Sequence, residues 1–203
     1  RSAFVGAYPG VINLAPNEFV GALDNAGESI VLYAASGEEI FRVDYPDNTP
    51  GTDGDGHSLV MAAGTSNPDS IAWRPSVAIG GNPGGSDSLT FAGSPTADGD
   101  SDGIARLLEY ALGTSDTVPN AGPAMALTGD IVSGWQVTLT RAFNTDDTAL
   151  TIQLAPSLSA SWEAAEADLL SANIDGNLIT ETWQIVLPPS STEFFLRLQA
   201  TPR

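Results

Sequence analysis

The residues best suited to chemistry in this chain are four acids with a fixed spacing. Asp98, Asp100 and Asp102 occupy positions 1, 3 and 5 of the calcium-loop pattern, and Glu109 occupies position 12. Gly103 lies at position 6, where such a loop turns sharply. Because calcium takes six to eight oxygen ligands, and this spacing brings four carboxylates to one point, the pattern predicts a calcium site.

The predicted ligand set also includes one backbone carbonyl, that of Ile104 at position 7. Arg106 stands at position 9 and has no oxygen to offer, so a water molecule would complete the shell there. An alternative interpretation of the same stretch is a solvated Asp/Gly turn, because both residues tolerate turn conformations. Four carboxylates this close together would repel one another strongly without a cation, which favours the metal site.

One amphipathic helix is predicted directly after the three aspartates. Its apolar residues recur at helical spacing, as Ile104, Leu107, Leu108, Ala111 and Leu112. Gly113 is placed to end the helix. Glu109 lies within the helix, so an ion would fix the helix start while the apolar stripe packs on a sheet. Because glycine and proline interrupt the residues before Asp98, we expect a single loop–helix unit with structural calcium, not a sensor.

The rest of the chain is predicted to be β structure with many turns. The clearest alternating or apolar runs are Glu18–Leu23, Ser29–Ala34, Glu39–Tyr45, Ser58–Ala62, Trp135–Phe143, Ala149–Ala155, Leu178–Leu187 and Glu193–Ala200. Gly80–Ser88 is the best linker candidate. The expected fold is mainly β, with two immunoglobulin-like sandwiches (residues 1–90 and 124–203) joined by a calcium loop and one short helix within residues 91–123. Calcium is expected to fix how the two halves meet.

Composition limits the partners and the compartment. The 203 residues carry a formal net charge of −18, and all seven basic residues are arginine. Such a field repels nucleic acids and anionic membrane surfaces. No run reaches the roughly 18 apolar residues of a membrane span. There are no cysteines, so an extracellular domain would need a brace other than disulfides, and a metal ion can serve. The start at Arg1 instead of Met suggests a fragment or a processed chain.

Most groups that carry catalysis are absent. His57 is the one histidine, and it is expected to be a residue of a Gly-Asp-Gly-His-Ser-Leu corner instead of a base acting on Ser58. There is no Gly-x-Ser-x-Gly elbow, and one histidine excludes the His-Glu-x-x-His zinc motif. Asp53 and Asp55 imitate the start of a second calcium loop, but Gly64 stands where its last acid should be. Paired-carboxylate glycoside hydrolysis stays open, with no pair singled out.

Three segments resemble known families. The first half of the chain resembles the later part of a lamin-tail domain, without its first strands. The residues that carry this resemblance are Gly21–Glu28, Ile30–Leu32, Val43–Tyr45, Gly54–Leu59, Trp73–Ser76 and Gly81–Gly84. Asp100–Gly113 looks like the thrombospondin type 3 or dockerin-like calcium segments of large secreted planctomycete and verrucomicrobial proteins. The pattern from Val137–Arg141 to Phe194–Leu198 is similar to the β-sandwich that follows such segments. The resemblance implies architecture more than activity.

The expected function is therefore that of a non-catalytic, calcium-stabilised structural or adhesion module of a larger secreted or cell-surface protein. One alternative is a subunit of an extracellular polymer, since open sheet edges can accept a strand from another copy or another chain. Another is a carbohydrate-binding accessory module, which would need exposed aromatic side chains. Trp162 and Trp183 are instead predicted to be core anchors, and Trp73 and Trp135 also lie in strand-like contexts.

Overall fold

The chain is mainly β, as its sequence predicts, and its contacts divide it into two units, Arg1–Ser88 and Leu89–Arg203. The computed structural model describes residues 1–16, 20–24, 26–62, 72–130, 132–188 and 193–203. Within them lie eleven strands and two short helices. The acidic loop and the helix after it belong to the second unit, together with every later strand.

The first unit contains helix α1 and two antiparallel strand pairs. Their bounds are α1 Ser2–Ala7, β1 Glu28–Tyr33, β2 Glu39–Tyr45, β3 His57–Met61 and β4 Trp73–Ile79, with β1 paired to β2 and β3 to β4. The predictions for β1, β2 and β3 are confirmed to within one residue at each end. The sequence did not reveal α1 or β4. The predicted strand Glu18–Leu23 lies partly outside the described residues, and residues 20–23 form no strand.

The second unit contains helix α2 and seven strands in two antiparallel sheets. Their bounds are α2 Arg106–Leu112, β5 Met125–Asp130, β6 Gly134–Ala142, β7 Thr148–Ala155, β8 Glu163–Ala164, β9 Ala167–Asp175, β10 Leu178–Ile185 and β11 Phe195–Pro202. One sheet has the order β5-β6-β10-β9 and the other has the order β11-β7-β8. Alternation in the sequence predicts β6, β7, β10 and β11, whereas it does not predict β5, β8 and β9.

The core of the second unit lies between its two sheets. Val137, Leu139 and Ile185 of the four-stranded sheet are buried, and residues of both sheets pack against them. From the three-stranded sheet come Leu150, Ile152, Leu154, Leu196 and Leu198. These five recur at every second position of β7 and β11, so one face of each strand is apolar. Trp183 also packs against this cluster, as predicted. Trp162, also predicted to be a core anchor, is not among the side chains packed on this cluster, and its ring lies under the guanidinium of Arg197, 4.4 Å away.

One ion pair shares the inward face of β6 and β10 with these apolar side chains. Arg141 donates two hydrogen bonds to the Glu181 carboxylate, at 3.0 and 2.7 Å, and the Trp183 indole N–H donates a third at 3.2 Å. Glu181 is only 4% exposed. A buried carboxylate is tolerated when its oxygens are this fully satisfied.

Helix α2 packs against strands of both sheets, namely β6, β7 and β11. Leu107, Ala111 and Leu112 of the predicted apolar stripe are buried. Tyr110 anchors the helix further, because its hydroxyl donates to Asp147 at 2.9 Å in the turn between β6 and β7. Neither helix among the described residues has the length and apolar character needed to cross a membrane.

Gly113 ends α2 as predicted. It has a φ of 74°, and its N–H donates to the carbonyl oxygens of Glu109 and Tyr110. A Cβ at this position would lie 2.5 Å from Leu178 and 3.4 Å from the Cβ of Ala142. The positive φ favours glycine here, and a Cβ would also require the Leu178 side chain to move.

The substitution Gly113→Ala should lower the free energy of unfolding by more than backbone strain alone. Gly176 provides a matched control, since it also has a positive φ of 63°, but a Cβ there would meet nothing within 4 Å. We expect Gly176→Ala to cost about 1 kcal/mol and Gly113→Ala to cost more, because the added methyl group would overlap the Leu178 side chain and force it to move. Urea unfolding followed by tryptophan fluorescence measures both. Equal losses would contradict the close packing.

Candidate metal centre

The loop before α2 brings three aspartate side chains together. Carboxylate oxygens of Asp98, Asp100 and Asp102 all lie within 4.8 Å of one another. Asp98 accepts hydrogen bonds from the backbone N–H groups of Ser101 at 2.7 Å and Gly103 at 3.0 Å. Asp100 accepts one from Asp102 at 3.1 Å, and Asp102 accepts one from Ile104 at 2.8 Å. These local side-chain to backbone bonds fold the loop around its own carboxylates.

The turn of the loop depends on two residues in left-handed conformations. Gly103 has a φ of 91° and Ser101 has a φ of 65°. A Cβ at Gly103 would meet nothing within 4 Å. Backbone conformation, not space, is therefore what favours glycine at position 6.

Glu109 brings a fourth carboxylate from the helix. Its side chain is 1% exposed, and its Oε1 accepts a hydrogen bond from the Asn120 amide at 3.1 Å. The same amide donates to Oδ2 of Asp102 at 3.0 Å, so Asn120 joins Glu109 to the aspartate cluster. Oε2 of Glu109 and Oδ2 of Asp100 are buried and have no hydrogen-bond partner. Two buried carboxylate oxygens without a donor are costly unless a cation compensates them.

The electrostatics of the four acids differ with their surroundings. Burial raises the pKa of Glu109, and the nearby charges of Asp100, Asp102 and Asp116 raise it further, against the hydrogen bond from Asn120. Backbone N–H groups of Asn120 and Ile104 lower the pKa of Asp102. Glu109 is therefore the group that most needs a positive partner.

The guanidinium of Arg106 bonds to Asp116 and not to Glu109. Its Nε and Nη2 lie 2.7 and 2.5 Å from Oδ2 of Asp116, a residue that follows the helix. Oδ1 of Asp116 accepts the N–H of Gly99 at 3.1 Å, which ties this ion pair to the loop. The side chain at position 9 is thus directed to Asp116, consistent with the prediction that it is not a ligand.

The structure brings three of the five predicted site residues, Asp98, Asp100 and Asp102, within 4.8 Å of one another, and Asn120 links Glu109 to them. The fifth, Ile104, bonds to Asp102 through its N–H, and the role of its carbonyl stays a prediction. Sequence reasoning missed Asn120 and Asp116. Both lie beyond the last position of the loop pattern, so that pattern has no place for them. The one feature of the sequence that could have pointed to them is that both are polar residues in the segment that follows Gly113.

The other candidate residues have simpler surroundings. His57 begins β3, and its Nδ1 donates to the carbonyl oxygen of Ser76 at 2.6 Å. Among the described residues, the group of acids close enough to hold a metal does not include Asp53 or Asp55. Gly64, the last position of that second loop, lies outside the described residues.

No family model, curated protein or solved structure matches this chain.

The substitution Glu109→Gln should raise the melting temperature of the metal-free protein. The amide removes a buried charge that Asp100 and Asp102 repel, and its N–H₂ can donate to them. The same change should remove most of the stabilisation that added calcium provides, because a ligand is lost. Thermal unfolding in chelator and in calcium measures both effects. Glu166→Gln, at an exposed acid between β8 and β9, is the matched control.

The benefit of Glu109→Gln in chelator should also depend on pH. Because the folded-state pKa of Glu109 is raised above 4.5, the folded protein takes up this proton before the unfolded chain does. The ionised Glu109 carboxylate therefore destabilises the folded protein fully at neutral pH, and this destabilisation shrinks as the pH falls through the raised pKa. The melting temperatures of wild type and variant should converge in that window. A constant difference from neutral pH down to 4.5 would contradict a buried, repelled carboxylate.

Proposed function

We propose that this chain is a non-catalytic, calcium-stabilised structural or adhesion module of a larger secreted or cell-surface protein. The observation that carries the proposal is the pair of buried, unpartnered oxygens on Asp100 and Glu109, one in the three-aspartate cluster and the other on a helix residue that Asn120 links to it. A bound cation would compensate both. The proposal gives the chain no reaction to catalyse, and it treats His57 as a structural residue, since its Nδ1 is engaged by Ser76.

Calcium is the ion that fits this donor set best. Its ligands would be Asp98, Asp100, Asp102 and Glu109, with the carbonyl of Ile104 and water filling the remaining positions. All protein donors are oxygens, which hard cations prefer, and the set includes no histidine or cysteine. The spacing of the acids also follows the calcium-loop pattern throughout.

The proposed role of the ion is to brace the second unit. Glu109 lies on α2, and α2 packs on strands of both sheets of that unit. An ion shared by Glu109 and the three aspartates would fix the start of this helix, and so support its packing. In a chain without cysteine, such a brace would do the work of a disulfide. The prediction that calcium also fixes how the two halves meet stays a prediction.

The finer fold assignment is part of the same proposal. We assign the two-sheet second unit to the immunoglobulin-like sandwiches, which its seven strands and shared core support. We likewise propose a lamin-tail-like character for the first unit, on the sequence resemblance and its four short strands. An extracellular location is supported by the acidic composition and by the calcium loop, whose ion is abundant outside cells.

Exhaustive chelation should lower the melting temperature, and calcium should restore it. An ion present at 100 times its dissociation constant adds about 2.7 kcal/mol to the stability of the folded state. For a domain of this size that corresponds to roughly 5–10 °C. The double variant Asp53→Asn/Asp55→Asn is the control, since it removes two acids that resemble a loop start but lie in the first unit. This control should show the same change in melting temperature on chelation as wild type. A wild-type melting temperature that does not change on chelation would contradict the proposed stabilising role of calcium.

A second candidate function is assembly with other copies of the chain. It is favoured by the exposed apolar residues on one face of the β1–β2 pair. Ile30, Leu32 and Phe41 lie on this face and are 41%, 56% and 39% exposed. Exposed apolar groups on a small two-stranded sheet are typical of surfaces that another protein covers.

If this face mediates assembly, sedimentation velocity in calcium should show larger species as the protein concentration rises. The double variant Leu32→Ser/Phe41→Ser should stay monomeric, because it removes two cross-strand partners from the face. Val132→Ser, at an exposed apolar residue outside the strands, is the control and should assemble like wild type. A monomeric wild-type protein at the highest concentration would exclude this function.

A further inference from the structure

We propose that Asp116 and Asn120 complete the calcium centre; both lie in residues 114–120, here called the post-helix segment. In this proposal Asn120 positions two of the ligands, and Asp116 keeps the guanidinium of Arg106 away from them. The inference rests on the calcium site proposed above, and it extends that site beyond the twelve residues of the loop pattern. Both residues act through other groups, so they are positioning residues and not ligands.

Asn120 makes three hydrogen bonds to the ligand carboxylates. Its backbone N–H donates to Oδ2 of Asp102 at 2.8 Å, and its side-chain amide donates to the same oxygen at 3.0 Å. The amide also donates to Oε1 of Glu109 at 3.1 Å. The first ligand is on the loop and the second is on the helix, so one residue fixes their separation. Because Asn120 takes only Oε1, the buried Oε2 of Glu109 is left for an ion.

Asp116 has a different role, because the loop pattern itself contains a positively charged side chain, that of Arg106. Arg106 and Glu109 are three residues apart on α2, a spacing at which side chains of a helix are neighbours. A guanidinium binds carboxylates well with paired N–H donors, so Arg106 could compete with calcium for Glu109. Asp116 prevents this by holding Nε and Nη2 of Arg106 on its own Oδ2.

The contacts of Asp116 and Asn120 require the post-helix segment to turn back towards the loop and the helix. Gly113 turns the chain back at the end of α2, and Thr114 donates its N–H to the carbonyl of Glu109 at 2.9 Å. Asp116 then reaches Gly99 and Arg106, and Asn120 reaches Asp102 and Glu109. The segment thus contacts both the beginning and the end of the loop pattern. Residues that orient ligands in this way commonly change metal affinity by 10–100-fold when they are replaced.

The test is calcium titration by calorimetry on the full chain after chelator treatment, with calcium chloride as the probe. Asn120→Ala should bind calcium 10–100-fold more weakly than wild type. Asp116→Asn should also bind more weakly, because Arg106 is released. Adding Arg106→Ala to Asp116→Asn should restore the affinity to within a few-fold of wild type, a rescue that a purely structural role of Asp116 would not produce. Thr117→Ala, whose hydroxyl contacts only Ser115, is the matched control and should bind like wild type.

Each outcome has a distinct meaning. If wild type binds no calcium, the proposed function fails and this inference fails with it. If wild type binds but Asn120→Ala and Asp116→Asn bind as tightly as Thr117→Ala, only the role of the segment is refuted. If the double variant stays as weak as Asp116→Asn, the competition by Arg106 is refuted. Hydrogen exchange on wild type needs no variant to fold: calcium should slow exchange of the Asn120 amide, and unchanged exchange would contradict the coupling.

Discussion

The packing of the second unit depends on a cluster of carboxylates that repel one another beside the short helix α2. Asp98, Asp100 and Asp102 converge within 4.8 Å, and Glu109 joins them while almost fully buried. Each aspartate is held by backbone N–H groups, so none can swing away without losing hydrogen bonds. The backbone thus holds these carboxylates closer together than their mutual repulsion would allow if they were free in water. The position of α2, and with it the packing across both sheets, is tied to this arrangement.

Two other carboxylates of the second unit, the buried Glu181 and the half-buried Asp147, have protein donors on their oxygens. Glu181 lies on the core side of β10 and takes three hydrogen bonds, two from Arg141 and one from Trp183. Asp147 takes the Tyr110 hydroxyl on one oxygen and the N–H of Phe91 on the other. Both carboxylates therefore have donors on each oxygen. This contrast singles out the loop, where two carboxylate oxygens have no donor, as the place suited to an ion.

The sequence predicted those features that depend on local periodicity and spacing. The stripe of α2 with its final glycine, and strands with clear alternation such as β6, could be identified from the residues alone. Strand β9 could not, because Leu169 and Leu170 are adjacent and a bulge interrupts its pairing with β10. The short helix α1 carries no acid in its first turn and no side-chain cap, so it gave no signal. Asn120 was missed for a different reason, since its role depends on a tertiary contact that no spacing rule includes.

The compact placement of the acidic centre along the chain also bears on how the second unit folds. Its carboxylates lie within twelve residues, and Asn120 follows eleven residues after the last of them. By contrast, β6 pairs with β10 through residues about forty positions apart, such as Thr140 and Thr180. Closing a short loop costs less chain entropy than closing a long one. The acidic centre therefore closes at a lower cost in chain entropy than the pairing of β6 with β10, which is the kind of long-range contact that slows the folding of β proteins.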